Sequence, residues 1–180
     1  MLMLRLDPRE IAPERPRPIL RGEHERVELL YGLLVSTRPH GPAHDATVDR
    51  LTTLLVRALG DRARVRIQGA FAASDDSEPE PDVTVLPPGD YDDEHPREAW
   101  LVIEVAESSL AKDRGPKARL YAASKVPEYW IVNLVDRIIE VHADPTAGVY
   151  RSLRRAPRGE TISLVKFPDV ELAVAEILRA

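Results

Sequence analysis

The 180-residue chain contains no cysteine, which excludes disulfides, thiolate metal centres and cysteine nucleophiles and is compatible with a reducing compartment. It also lacks any apolar run of membrane-spanning length, and its N-terminus lacks the long apolar core of a secretory signal. A soluble cytoplasmic protein with no membrane contact is therefore the default expectation. Positive charge is in short supply too. With 25 Lys and Arg against 30 Asp and Glu, the net charge is −5, which argues against broad, charge-driven coating of nucleic acid. Any contact with DNA has to be local. Two basic patches could supply it, Arg62-Ala63-Arg64-Val65-Arg66 and the stretch from Arg151 to Arg158, although a solvated strand face explains both more simply.

What is present suffices for one core. Hydrophobic residues make up 43% of the chain, enough for one domain and short for two. Pro8, Pro13, Pro16 and Pro18 interrupt the first two dozen residues, so residues 1–22 are expected to form an extended, Pro/Arg-rich arm and residues 23–180 a single domain. Val27 to Leu30 and Leu33 to Val35 read as short strands around Tyr31-Gly32. Val48, Leu51, Leu54, Leu55 and Ala58 recur at helical spacing between His44 and Leu59, with Gly60 placed to end the helix. Arg64 to Ala72 alternates like a half-buried strand. Asp82 to Leu86 is a strand closed by Pro87-Pro88-Gly89.

Trp100 to Ala106 is the most apolar strand, which suggests a central position. A helix capped by Ser108 or Ser109 runs to about Ser124, its regular part expected to begin near Gly115-Pro116. Tyr129 to Leu134 and Arg137 to His142 form a hairpin. Val149 to Arg154 and Thr161 to Val165 are expected to continue the meander, and Val170 to Leu178 closes the chain as strand or short helix. Helices packed on a mixed sheet, an α+β or α/β layout, follow from this order.

Glu104 is the anomaly. Alternation puts Val102, Glu104 and Ala106 on one face of an otherwise apolar strand, and a lone buried charge there costs several kcal/mol unless something compensates it. If the strand of Asp82 pairs antiparallel with that of Glu104, the two carboxylates lie side by side and repel unless a cation sits between them. Hard oxygen ligands of this kind hold Mg²⁺ or Mn²⁺. The simpler alternative has Asp82 capping a turn and Glu104 pairing with Lys117 or an arginine. Asp113, Lys117 and Tyr121 recur at intervals of four, so either Asp113 pairs with Lys117 along the helix or Lys117 leans over the sheet edge towards the acids.

Pro81-Asp82 followed by Glu104-Val105-Ala106 resembles the PD-(D/E)XK nuclease superfamily, with Ala106 standing where the motif's lysine would be and Lys117 suitably placed on the next helix to replace it. Glu28-Leu29 to Gly32, His44 at the head of a helix, Pro81-Asp82-Val83, Val102 to Ser108, Asp113, Lys117, Tyr121 and Val126-Pro127-Glu128-Tyr129-Trp130 together resemble the Uma2 family of restriction endonucleases, from about Glu23 to about Tyr150. The resemblance implies a restriction-endonuclease-like fold, with a central mixed sheet flanked by helices and extra antiparallel strands. It further implies a Mg²⁺- or Mn²⁺-dependent DNA endonuclease in which Asp82, Glu104 and the Val105 carbonyl bind the metal and Lys117 serves as the displaced catalytic lysine. Glu28 and Tyr121 become supporting residues, Glu28 being either near the site or a surface strand carboxylate. His44 reads as a helix-start residue rather than a general base. A homodimer would suit cleavage of both strands. Two rival readings are a catalytically silent module that keeps the fold for binding or assembly, and a hydrolase of other phosphate esters.

Overall fold

A computed structural model describes residues 4–5, 26–37 and 39–179 of the chain. Strands β1 (Leu4–Arg5), β2 (Arg26–Leu30) and β3 (Leu33–Thr37) form a small antiparallel sheet in the order β1-β3-β2. The two-residue turn between β2 and β3 has φ 53° at Tyr31 and 71° at Gly32. Paired positive φ values match the right-handed twist of the flanking strands, and only glycine adopts them without strain. Apart from Leu4–Arg5, the expected N-terminal arm lies outside the described residues.

Helix α1 (Pro42–Leu59) follows. Proline suits its first turn, where backbone N–H groups have no helical partner. Its buried stripe of Val48, Leu51, Leu55 and Leu59 follows the expected spacing, and each such leucine stabilises the fold by about 1.5–3 kcal/mol of burial. The principal sheet contains β4 (Arg64–Ile67), β5 (Val83–Leu86), β6 (Leu101–Ala106), β7 (Glu128–Asn133), β8 (Ile138–Thr146) and β9 (Val149–Pro157), in that spatial order. Every neighbouring pair is antiparallel except β6 and β7, which are parallel. The sheet is therefore mixed, with β6 inside it as its apolar sequence suggests. β4 stops at Ile67, short of the expected Ala72, because Gln68 turns to φ 47°.

Between β6 and β7 the chain is helical from Leu110 to Ala123, in three parts: α2 (Leu110–Lys112), a π-helical turn over Asp113–Lys117, and α3 (Ala118–Ala123). The helix thus begins before Gly115-Pro116, not at it. Pro116 has no N–H to donate, and the wider turn absorbs the missing bond, with the Ala118 N–H reaching the Asp113 carbonyl five residues back;. The last strands also depart from expectation. β10 (Thr161–Ser163) pairs with β11 (Glu171–Ala173) instead of extending the sheet beyond β9, and α4 (Val174–Ile177) follows. Folding back lets Ile162, Leu172, Val174 and Ile177 join α1 over the sheet face formed by Val83, Val85, Leu101, Ile103 and Val105. The opposite face, with Val102, Ala106, Tyr129 and Ile131, packs against Ala118 and Tyr121 of the other helix. Layers on both faces of one sheet give two apolar clusters, one on each side of it;.

The two basic patches lie at opposite edges of this sheet, in and before β4 and along β9. Arg62 pairs with Asp169 and Arg154 with Glu160. Among the described residues no helix is long and apolar enough to cross a membrane.

Candidate active site

The register of β5 on β6 carries the first expectation. Val83, Thr84 and Val85 lie opposite Ile103, Val102 and Leu101, so one further step places Asp82 opposite Glu104. Asp82 is held there rather than capping its own turn: its Oδ2 accepts the Val105 N–H at 2.8 Å and a hydrogen bond from His44 Nε2 at 3.1 Å. A carboxylate only accepts, so Nε2 carries a proton, as Nδ1 does when it bonds Asp45. Its other ring nitrogen faces Asp45 at 3.2 Å. Burial opposes a charge on His44, but Asp82 and Asp45 outweigh it and raise the imidazole above its ordinary range. His44, read from the sequence as a helix-start residue, is both that and the buried clamp on Asp82.

Glu104 projects to the face covered by the 110–123 helix, as the alternation required. Its Oε1 accepts hydrogen bonds from Lys117 Nζ at 2.8 Å and from the Tyr121 hydroxyl at 2.7 Å. Lys117 does not pair with Asp113. Its ammonium is buried and also donates to Glu28 Oε1 at 2.6 Å. Glu28 is no surface carboxylate: only 4% exposed, it further accepts Lys112 Nζ at 2.9 Å and the Glu80 N–H at 3.1 Å. The simple ion pair of Glu104 with Lys117 therefore exists, but inside a larger constellation in which one ammonium serves two acids.

These groups line a cavity of about 350 Å³ whose walls include Glu28, Glu80, Asp82, Glu104, Glu107 and Asp113. Against six carboxylates stand three permanent cations, Arg26, Lys112 and Lys117, together with His40 and His44. The imbalance is visible in the proton affinities. Burial raises that of Glu104, Lys117 opposes, and Asp113, Asp82 and Glu28 add to the rise, leaving its pKa pushed up to about 8. For Glu28 burial is outweighed by Lys117 and Lys112, which pull it down to about 2. Lys117 is driven upward despite its burial by Glu104, Glu28 and Asp113.

Asp113 is the site's unbalanced member. It is 1% exposed; Oδ2 accepts the Ser109 hydroxyl, while Oδ1 is buried without a hydrogen-bond partner. An orphaned acceptor of this sort costs about 1–3 kcal/mol. Carboxylate oxygens are the ligands that Mg²⁺ or Mn²⁺ takes, and Asp82 and Glu104 offer them at this cavity; among the described residues the one set of three such groups whose ligand atoms all lie within 4.8 Å of one another is His40, His44 and Asp45. Val105 lines the same cavity. Ala106, in the place of the motif lysine, is fully buried among apolar side chains, and the ammonium comes from the helix instead.

The structure brings Asp82, Glu104, Lys117, Glu28, Tyr121 and Val105 together. Sequence reasoning missed the contributions of His40, Glu80, Glu107 and Lys112 to the walls. His40 carries little local signal, and Asp113, which the sequence offered as a helix partner for Lys117, lines the cavity instead.

A mixed sheet presenting acids from two adjacent strands to a lysine on the following helix has the architecture of a restriction-endonuclease-like fold. The chain belongs to the Uma2 family, whose model, described as "Putative restriction endonuclease", matches residues 14–175. That is a longer span than the motif resemblance covered. Among solved structures the fold is similar to a protein of Anabaena variabilis titled a "putative nuclease belonging to DUF820", with a TM-score of 0.67, 14% identity, and coverage of 84% of this chain and 88% of that one. No curated protein matches.

Proposed function

We propose that this protein is a divalent-cation-dependent DNA endonuclease that hydrolyses phosphodiester bonds, using Asp82 and Glu104 to bind Mg²⁺ or Mn²⁺ and Lys117 to stabilise charge. The observation that carries the reading is the convergence of two acids from adjacent strands and one buried ammonium on a single open cavity. When bound, the cation would supply Lewis acidity towards the phosphate and lower the pKa of a water molecule.

The chain's own residues supply the rest. The Val105 N–H and His44 hold Asp82 through its Oδ2, at the residue just before β5 inside the sheet. Tyr121 and Lys117 fix Glu104 from the opposite side. Lys117 brings a positive charge into a buried, acid-lined site, where it can neutralise charge developing on a phosphate at little cost in reorganisation. Glu28, bonded to Lys117 and Lys112, anchors both ammonium groups at the cavity wall. Glu104 needs its carboxylate free of a proton to act as a ligand, and lowering its pKa from about 8 requires added positive charge nearby.

Nicking of supercoiled plasmid in Mn²⁺ tests the proposal, with wild type beside Asp82→Asn and Glu104→Gln. Wild type is expected to nick and both variants to lose more than ~100-fold in rate, since even outer-shell changes cost 10–100-fold. Equal nicking by all three would discard the assignment. A second reading, a binding module without catalysis, draws on Ala106 and on the acid excess of the cavity. Calorimetry separates the two, because that reading expects no heat of binding at millimolar Mn²⁺. Cutting both strands of a duplex calls for two such sites, and we extend the proposal to a homodimer on DNA, checked by light scattering.

A further inference from the structure

Beside the acid-lined cavity, three side chains of a different chemistry converge on one point. His40 stands in the coil before α1, and His44 and Asp45 lie in the first turn of that helix. His44 Nδ1 approaches Asp45 Oδ1 to 3.2 Å, and His40 Nδ1 approaches the same oxygen to 3.9 Å. The ligand atoms of all three residues lie within 4.8 Å of one another. The two imidazole rings stack, with centroids 3.8 Å apart and planes inclined by 31°.

Coordination bonds of about 2.0–2.2 Å put neighbouring ligand atoms about 3.0–3.6 Å apart, close to these separations. His44 is also oriented as a ligand is. A metal-bound histidine donates its other ring N–H to a carboxylate or carbonyl, which fixes the ring and turns the remaining nitrogen to the ion. Here Nε2 donates to Asp82 Oδ2 at 3.1 Å, and Asp82 is itself held by the Val105 N–H. Nδ1 is thus the nitrogen turned towards Asp45. At His40 the Gln68 side-chain amide nitrogen lies 3.4 Å from Nδ1, and since an amide nitrogen donates, Nδ1 offers a lone pair there. A second cavity of about 430 Å³, whose walls include His40, Asp45 and Arg26, gives an ion a path to the group. Arg26 in that wall pairs with Glu80 at 3.2 Å, and Asp45 offsets the positive end of the α1 dipole, which alone would repel a cation.

We propose that His40, His44 and Asp45 form a second metal site, distinct from the pair of Asp82 and Glu104, for a first-row transition-metal dication that takes imidazole ligands, of which Zn²⁺ is the example. Two ring nitrogens and one carboxylate oxygen are three ligands of a tetrahedral zinc site, and water completes it. Mg²⁺ is ill suited, because it prefers an all-oxygen shell. Nothing here requires a cation on Asp82 and Glu104. The imidazole ring of His44 and its hydrogen bond to Asp82 separate the two places, a longer path than the roughly 3.5–4 Å at which two metals share one reacting phosphate. The ion's role is positional: taking the place of the proton on Nδ1, it locks the His44 ring so that the Nε2–H stays on Asp82.

Calorimetric titration of the full chain with Zn²⁺ in excess Mg²⁺ tests it on wild type, His40→Ala, Asp45→Asn and Glu104→Gln. His40 is half-buried and Asp45 exposed, so neither of those substitutions opens the core. Each is expected to weaken Zn²⁺ binding by about tenfold or more, while Glu104→Gln stays within about twofold of wild type. In nitrogen NMR spectra Zn²⁺ is expected to shift the Nδ1 resonances of two histidines in wild type, and His40→Ala to abolish the paired shift. Wild-type Zn²⁺ affinity in either His40→Ala or Asp45→Asn overturns the proposal. A loss in Glu104→Gln comparable to theirs also overturns it and puts the ion on the acids of the first cavity. The reading of Asp82 and Glu104 fails separately, when Glu104→Gln binds Mn²⁺ as wild type does, and that result leaves the Zn²⁺ comparison standing.

Discussion

Glu104 and Glu140 occupy the same row of the same sheet, each opposite Ile131 of β7, one from β6 and the other from β8. Both are buried and both come from apolar strands, yet they are opposite in character. Glu140 meets a guanidinium that binds it in a fork: Arg114 donates to both of its oxygens while lying 3.7 Å from Asp136, and the Asn133 amide adds a bond at 3.2 Å. Burial alone would raise the proton affinity of Glu140, but these partners outweigh it and hold the carboxyl below its usual range. Glu104 is more deeply desolvated, shares its one cation with Glu28, faces Asp113 and Asp82 as well, and is pushed the other way. A buried carboxylate whose partners outweigh its burial belongs to the fold, whereas one left with a raised proton affinity among other acids is poised to bind something else.

The comparison breaks first on activity. Glu104→Gln is expected to lose more than ~100-fold of Mn²⁺-dependent plasmid nicking, while Glu140→Gln keeps nicking within about twofold of wild type. Comparable losses in both would erase the distinction drawn here.

The pH dependence of stability sharpens it. A carboxyl whose folded value lies above its unfolded value leaves the folded state holding a proton that the unfolded chain has released, so stability falls as pH rises between the two values. For Glu104 that window runs from the ordinary 4.5 to about 8, and Asp113, raised chiefly by burial, acts in the same direction. Glu140 works in reverse, its contribution being present above its unfolded value and lost as pH falls. Urea unfolding in chelator is therefore expected to show stability declining from about pH 5 to pH 8, with Glu104→Gln flattening that decline and Glu140→Gln leaving it in place. A flat wild-type profile would contradict the pairing assigned to Glu104.

The smallest effect expected is that of Tyr121→Phe. Removing the hydroxyl that donates to Glu104 at 2.7 Å should cost about 1 kcal/mol of stability and move the pH at which Mn²⁺ binding is half complete upward, because the charged carboxylate loses a donor. A midpoint that stays in place or falls would mean that the phenol does not favour the ionised acid.

The same pair of glutamates shows how far residue patterns reach. Glu104 stood out in the sequence because a single charge interrupts Leu101 to Ala106, and alternation placed it on the correct face. Glu140 interrupts Ile138 to Val141 in a similar way, so pattern alone could not separate the two. What separates them is Arg114, 26 residues away, and the π-helical turn that carries it. Strands β2, β3 and β5 to β9 and helix α1 were legible because each has its own periodicity and turn residues. The wide turn, the short pairing of β10 with β11 and the clamp of His44 on Asp82 depend on tertiary contacts with little local trace. Ala106 signalled that an ammonium had to come from elsewhere, and Lys117 supplies it.

Glu28 and Lys117 meet across 89 residues of chain, and the carboxylates between them come from separate segments. No fragment ending before the helix of Lys117 can contain the assembled cluster, so during synthesis it cannot exist until most of the domain has left the ribosome. Closing so long a loop is among the slower events of folding, and a half-made copy therefore lacks the buried ammonium that joins Glu28 to Glu104.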